Sequence, residues 1–432
     1  MKLLLILLVL AIPALSRGET KLVTLDQALA IAGEHNRDIE KAREYARYVQ
    51  GKYIEERAAA LPQLSLNGAG SLAKDGSNQL AGLPAQRQFG RSVDVTLTQP
   101  LYTWGKLSAA ITAAEVGLKT ADEQLRLSRH AVQREVSAAY FNVQLARELH
   151  HLARENRDQK QRHLEEATRK LRAGIATDYD VLAAEVAVEN SRPEVIRSEN
   201  AVRLAREQLR FLLVMGSDDV DTVGTLELPT GGRLLPTQSD EAVRIAVTHR
   251  PELADLRLRI GMYDQLVTIA AAENKPRLDL KAGAGWHWLS LNDPPPAMDA
   301  DGAAWSAGVY LTFPFFDGYR TDGKVAQAKS ELQTKRIEEA RLRDDIALEV
   351  RQADFAHHEA TEIVTALSGT VKQAERLVQM AEKGYELGVK IRLEVDDAQL
   401  NLLQARSNLV RAIRDLRVAE VTYLWAMGVV GE

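Results

Sequence analysis

Three carboxylates have a spacing in this chain that could act on a charged solute. Asp180 is matched by Glu394, 214 positions later, and Asp397 follows Glu394 by about one helical turn. No catalytic constellation accompanies them: there is no cysteine nucleophile, no glycine-rich phosphate loop opening a helix after a strand, and no His-Glu-x-x-His. What they could do is electrostatic. If several copies of the chain faced one another, each acid would become a ring of like charges favouring cations at a constriction. The local alternative is that acids in a first helical turn are favoured by the helix dipole. Lys390 is a candidate basic partner for them. Among the nine histidines, His150-His151 and His357-His358 suggest a metal site. Adjacent residues on a helix point about 100° apart, and the two pairs do not fall at matching positions, so no metal, no cofactor and no enzymatic activity are expected.

Those acids must be held by helices, and the helices are unusual. From about Gly105 to Ala173 no proline occurs, and steps of 3.5 residues from Leu107 pass through Ile111, Ala114, Leu118, Ala121, Leu125, Ser128, Val132, Glu135, Ala139, Asn142, Ala146, Leu149 and Ala153. That is a coiled-coil seam, on a helix of the order of 100 Å. Such a rod needs a partner. Shifting the sequence by 214 residues supplies a second one, from about Tyr319 to Leu387. Ala114 then falls on Ala328, Leu118 on Leu332, Val136 on Val350, Phe141 on Phe355 and Gly174 on Gly388. Outside the rods the register holds, with His35 on His249, Pro62 on Pro276, Pro100 on Pro314 and Arg203 on Arg417. The sequence reads as a tandem duplication, with a first repeat over 24–216, an equatorial linker over 217–238 and a second repeat over 239–428.

Each repeat predicts the same order of elements. A half-length helix runs from Leu25 to about Ala60, with Asp26 placed to cap it, and Pro62 stops it. Leu64 to Gly70 then alternates with period 2, and so does Ser92 to Thr98, giving two strands of about 10 residues around a polar loop from Lys74 to Gly90. The second repeat shows the alternation more sharply: Leu278, Leu280, Ala282, Ala284, Trp286 and Trp288 lie on one face, as do Trp305, Ala307, Val309, Leu311 and Phe313 on the following strand. Pro100 and Pro314 end the hairpins, the rods follow and end at Gly174 and Gly388, and half-length helices occupy Asp178 to Leu213 and Arg392 to Ala426.

Composition narrows the setting. Among 432 residues the charged fraction is 27 %, the aromatic fraction 5 % and the net charge −5, which suits neither a nucleic-acid binder nor a helical membrane protein. Residues 1–16, with one lysine and an apolar run too short to span a bilayer, predict a secretory signal peptide. The absence of cysteine leaves neither a disulfide framework nor a lipid-attachment site. Strands with one bulky face, and tryptophans near their loop ends, match tilted strands crossing a membrane beside lipid. Four strands cannot close a barrel, and open edges in lipid are costly. Several chains must therefore pool their strands, and three would give twelve. The rival expectation is a periplasmic coiled-coil adaptor or scaffold, which would have no use for such hairpins.

In this order the chain resembles the TolC-like family of outer-membrane efflux proteins. The resemblance rests on Leu25-Asp26-Gln27-Ala28-Leu29 and His249-Arg250-Pro251-Glu252-Leu253. It also rests on the junction prolines Pro62, Pro100, Pro276 and Pro314, on Tyr102-Thr103-Trp104-Gly105-Lys106 and Phe316-Asp317-Gly318-Tyr319-Arg320, and on the glycine tips at Gly174-Ile175 and Gly388-Val389. Trp104 departs from the pattern, standing where the family turn usually has glycine. The resemblance implies a mixed α/β membrane protein. It would be a homotrimer whose twelve-stranded β-barrel in outer-membrane lipid continues as a periplasmic α-helical barrel to a closed tip. It further implies that a periplasmic adaptor (membrane fusion) protein and an inner-membrane transporter work with it, the adaptor docking near Gly174, Ile175, Gly388 and Val389. Asp180, Glu394, Asp397 and Lys390 are then the candidates for the gate.

Overall fold

The computed structural model describes residues 21–75, 86–216, 219–227, 238–292 and 298–431; the expected signal peptide lies outside them. The elements are β1 (Lys21–Val23), α1 (Leu25–His35), α2 (Arg37–Ala58), β2 (Gln63–Asp75), β3 (Gln86–Tyr102), α3 (Lys106–Arg172) and α4 (Asp178–Leu213). These are followed by β4 (Val220–Thr222), α5 (Ser239–His249), α6 (Pro251–Ala271), β5 (Arg277–Asn292), β6 (Met298–Thr312), α7 (Arg320–Glu386) and α8 (Arg392–Ala426). Helix, helix, strand, strand, long helix and helix thus occur twice in the same order. The chain divides into two compact units, one of Met1–Lys41, Ser128–Arg250 and Ile346–Glu432, the other of Ala42–Leu127 and Pro251–Asp345.

The second unit contains the sheet, antiparallel throughout in the order β2-β3-β5-β6. Its register puts Leu64 opposite Leu97, Leu66 opposite Val95, Val93 opposite Trp286, Leu280 opposite Val309 and Leu278 opposite Leu311. One face is therefore apolar across all four strands, and it is uncovered: Leu66 is 72 % exposed and Trp305 81 %. The other face is polar. There Ser65 and Thr96 share a hydrogen bond of 2.6 Å, and His287 Nε2 lies 2.7 Å from Asp94 Oδ1. The strands have 13, 17, 16 and 15 residues, longer than the apolar stretches suggest. Once two strands are in register, each added pair gains ladder bonds without a new turn, so the ladder takes in Lys74 and Gln88–Gly90, which read as loop in sequence.

The junction prolines divide into two kinds. Pro62 and Pro276 immediately precede β2 and β5, and Pro314 lies just past β6. Pro100, expected to end its strand, sits inside β3. The strand runs on to Tyr102, with a register shift where proline has no N–H to give the ladder. Into each long helix the chain turns through two successive residues of positive φ, Trp104 (51°) and Gly105 (81°) in one case, Gly318 (67°) and Tyr319 (63°) in the other. Each turn thus has one glycine and one aromatic residue, in opposite order. The aromatic residues are held against neighbours, Trp104 on Tyr102 at 5.2 Å and Tyr319 on Phe316 at 6.1 Å between ring centroids.

The first unit is helical, with α4, α8 and the C-terminal halves of α3 and α7 as its main parts. Both long helices have 67 residues. Along α7 the buried residues step 346, 350, 353, 360, 364, 374, 378 and 381, and along α8 395, 398, 405, 412, 416, 423 and 426, which is heptad spacing. In α3 the seam runs Val132, Val136, Ala139, Val143, Ala146 and Ala153. Glu135 and Asn142, counted on the seam from sequence, are its neighbours; the alternation of four and three starts in the other phase. The half-length helices also break, into α1 and α2 at Asn36 and into α5 and α6 at Arg250, which Pro251 follows. Thr24, not Asp26, caps α1, in a reciprocal pair with Gln27.

The equatorial linker contains β4, which pairs in parallel with β1. Carbonyls at the end of β4 and just past it are held from α3: Arg147 donates to Thr222 at 2.7 Å, and Tyr140 and Gln144 donate to Val223 at 3.1 and 3.2 Å. Asp221 accepts from Arg206 of α4 and faces Arg147. A strand pair too short to persist alone is fixed by helix side chains satisfying its backbone.

Candidate functional site

The two tips, α3 to α4 and α7 to α8, carry the residues singled out by sequence. Each long helix ends with its glycine in the left-handed region, Gly174 at φ 74° and Gly388 at φ 72°. The Ile175 N–H donates back to Lys170 O at 2.9 Å and the Val389 N–H to Gly384 O at 2.8 Å, closing each helix by a Schellman-type turn. The residues beyond the glycines project outward, with Ile175 77 % and Val389 80 % exposed.

Asp180 and Glu394 occupy the same place in their helices and make the same bond. The Thr177 N–H and hydroxyl both donate to Asp180 Oδ2 at 2.8 Å, and the Ile391 N–H donates to Glu394 Oε2 at 3.1 Å. These carboxylates cap helix starts. Hydrogen bonds from Thr177 hold the Asp180 carboxyl below its ordinary pKa. Lys390, whose Nζ is 2.5 Å from Glu394 Oε1, and then the Ile391 N–H do the same for Glu394. Asp397 is exposed and makes no hydrogen bond or ion pair among the described residues.

A cavity of about 690 Å³ opens between the four helices next to the tips. Asp180, Ile175 and Asp397 line it; Glu394, Lys390, Gly174, Gly388 and Val389 do not. It is also lined by residues the sequence did not single out. Lys170 of α3 is 2.8 Å from Glu166 and lies over the Tyr385 ring at 5.0 Å, its Nζ 3.4 Å from the Tyr385 hydroxyl. Arg392 pairs with Asp396 at 2.9 Å, and His163 stands on the α3 wall. The repeat offset gave no signal for these, because Lys170 falls on Gly384, Arg392 on Asp178 and His163 on Leu377. Of the histidine pairs, His150 shares a hydrogen bond of 3.0 Å with Ser198, and His357 stacks on Tyr423 at 6.1 Å.

A four-stranded sheet with one lipid-like face, on a chain whose other elements are heptad-patterned helices ending in charged tips, defines the fold of outer-membrane channel subunits. The solved membrane protein from Pseudomonas aeruginosa is similar to it with a TM-score of 0.80 and 21 % identity, covering 94 % of this chain and 93 % of that one. The outer-membrane protein VceC of Vibrio cholerae is similar with a TM-score of 0.76 and 18 % identity, covering 94 % and 96 %. In sequence, the chain is 26 % identical to the protein CyaE of Bordetella pertussis over 87 % of this chain and 77 % of that one. It is also 26 % identical to the cobalt-zinc-cadmium resistance protein CzcC of Cupriavidus metallidurans, over 95 % and 90 %. The chain belongs to the outer membrane efflux protein family, which it matches over residues 28–214 and 242–429. It is an outer-membrane efflux channel with a periplasmic extension.

Proposed function

We propose that three copies of the chain pool their sheets into one closed twelve-stranded barrel, and that the residues beside Gly174 and Gly388 form its periplasmic gate. The observation that carries this is the pair of free sheet edges. β2 and β6 bound a sheet whose apolar face is uncovered, and every backbone group left open to lipid costs several kcal/mol. Edge-to-edge joining of three identical sheets removes all six edges. The repeats, 24–216 and 239–428, then contribute two near-equivalent tips per chain, joined through 217–238.

At the gate, Asp180, Glu394 and Asp397 supply rings of carboxylates that draw cations in, while Lys390 restrains Glu394. A periplasmic adaptor docks at Ile175 and Val389, and an inner-membrane transporter delivers the cargo. The test uses the full chain in detergent. Light scattering should give a trimer, planar bilayers should show discrete cation-preferring channels, and gel mobility should change on heating. A monodisperse monomer would overturn the closure argument.

A further inference from the structure

His163 lies on the α3 wall of the cavity, half-buried, and its Nε2 is shielded from water with no hydrogen-bond partner among the described residues. Of the ionisable groups lining this cavity, only an imidazole titrates near neutral pH in the ordinary way. Three of the four carboxylates lining the cavity, Glu166, Asp180 and Asp396, are engaged by other groups. On its own helix Glu166 is held by Lys170 at 2.8 Å, with Lys160 also in the lining. On α8 Asp396 is held by Arg392 at 2.9 Å, and Asp397 stands exposed. The Gln399 amide donates to Glu382 of α7 at 3.1 Å, Tyr385 of α7 is engaged by Lys170, and on α4 Asp180 is tied to Thr177, with Tyr179 beside it. A proton on Nε2 would therefore place a second positive charge facing Arg392, with the Gln399 side chain as its hydrogen-bonding neighbour. Burial and then Arg392 push the imidazole below its ordinary pKa, against a weaker pull from Asp396, Gln399 and Glu166.

We propose that His163 is a proton-operated wedge between α3 and α8, whose protonation in mildly acidic surroundings loosens the helices next to the tip and shifts the gate toward opening. This rests on the reading of the tip as the gate. The sign follows from linkage. The loosened state, in which water reaches the imidazole, binds the proton more readily than the packed one. Packing is then fully favoured above the ordinary imidazole value of about 6.5, weakens as pH falls through it, and levels off once the packed imidazole titrates too.

Hydrogen–deuterium exchange on the full-length protein in detergent, corrected for intrinsic rates, reads the packing directly. Exchange of residues 156–170 and 392–400 should accelerate about 3-fold or more between roughly pH 7.5 and 5.5. His163→Gln should abolish that response, and His163→Lys should give fast exchange at every pH. Wild-type exchange that ignores pH, or a His163→Gln protein that responds as wild type does, would overturn the proposal. Should the variants fail to fold, carbethoxylation of His163 in the wild type, followed against pH by mass spectrometry, decides: an apparent pKa below about 6.5 supports the wedge, and one at or above it removes it. Conductance is recorded separately, so a tip that loosens with acid but does not gate current would refute the gate reading and leave the wedge intact.

Discussion

Asn36 and Arg250, 214 positions apart, make the same bond in the two halves of the chain. Asn36 Nδ2 donates to Leu212 O at 3.0 Å, and Arg250 Nη1 donates to Ala426 O at 3.2 Å; Leu212 and Ala426 are themselves 214 apart. Each side chain sits at a helix break and satisfies a carbonyl in the last turn of a half-length helix, which no intrahelical donor can reach. Arg250 does more, since it is buried, pairs with Glu349 at 2.8 Å and lies over the Trp425 ring at 4.7 Å. Asn36→Ala should cost roughly 1–2 kcal/mol, and Arg250→Ala about 3 kcal/mol. Thermal unfolding followed by far-UV circular dichroism checks the order, and equal small losses would contradict it.

The acids proposed for the gate should not be equivalent. Glu394 is engaged by Lys390, whereas Asp397 is exposed and unpaired, so Asp397→Asn should reduce cation preference in reversal-potential measurements more than Glu394→Gln does. The double substitution should reduce it most and weaken block by multivalent cations. Lys390→Gln should raise cation preference. Wild-type selectivity in the double variant would leave these residues as helix-start charges.

Their pH dependence has a definite sign. Both Asp180 and Glu394 carry pKa values lowered in the folded state, so their charge, and the support it gives the helix starts, is complete above the ordinary carboxylate range near 4 and is lost only as pH falls through the lowered values. Cation preference should therefore hold from about pH 7 down to about pH 5. A decline across that window would assign the selectivity to other groups.

Gly285 lies opposite Asp94 in the sheet, and a Cβ there would come 2.2 Å from Asp94 Oδ1 and 2.4 Å from Val93 O. The second of these is backbone and cannot swing aside. Gly285→Ala should cost roughly 1–3 kcal/mol and reduce the yield of heat-modifiable oligomer, while Gly302→Ala, with open space around it, should assemble as wild type does.

Much of this was legible in the residues because the determinants are local. Seams at 3.5 residues, glycines with nothing but solvent around a left-handed turn, and alternating strands bounded by loops fix α3, α4, α7 and α8 within a residue or so and show which strand face is apolar. The offset of 214 located Asp180 and Glu394 as counterparts, and the structure shows them making counterpart bonds. What tertiary structure decided involves groups distant in sequence. The phase of the α3 seam depends on which neighbours arrive, so Val136 and Val143 are buried rather than Glu135 and Asn142. β4 is held in place because Arg147, of a helix some 75 residues away, bonds its Thr222 carbonyl, while Tyr140 and Gln144 of that helix bond the Val223 carbonyl just past it. The cavity that isolates His163 beside Arg392 has no trace in composition or repeat, because burial of an imidazole is a property of the four helices around it and not of its own segment.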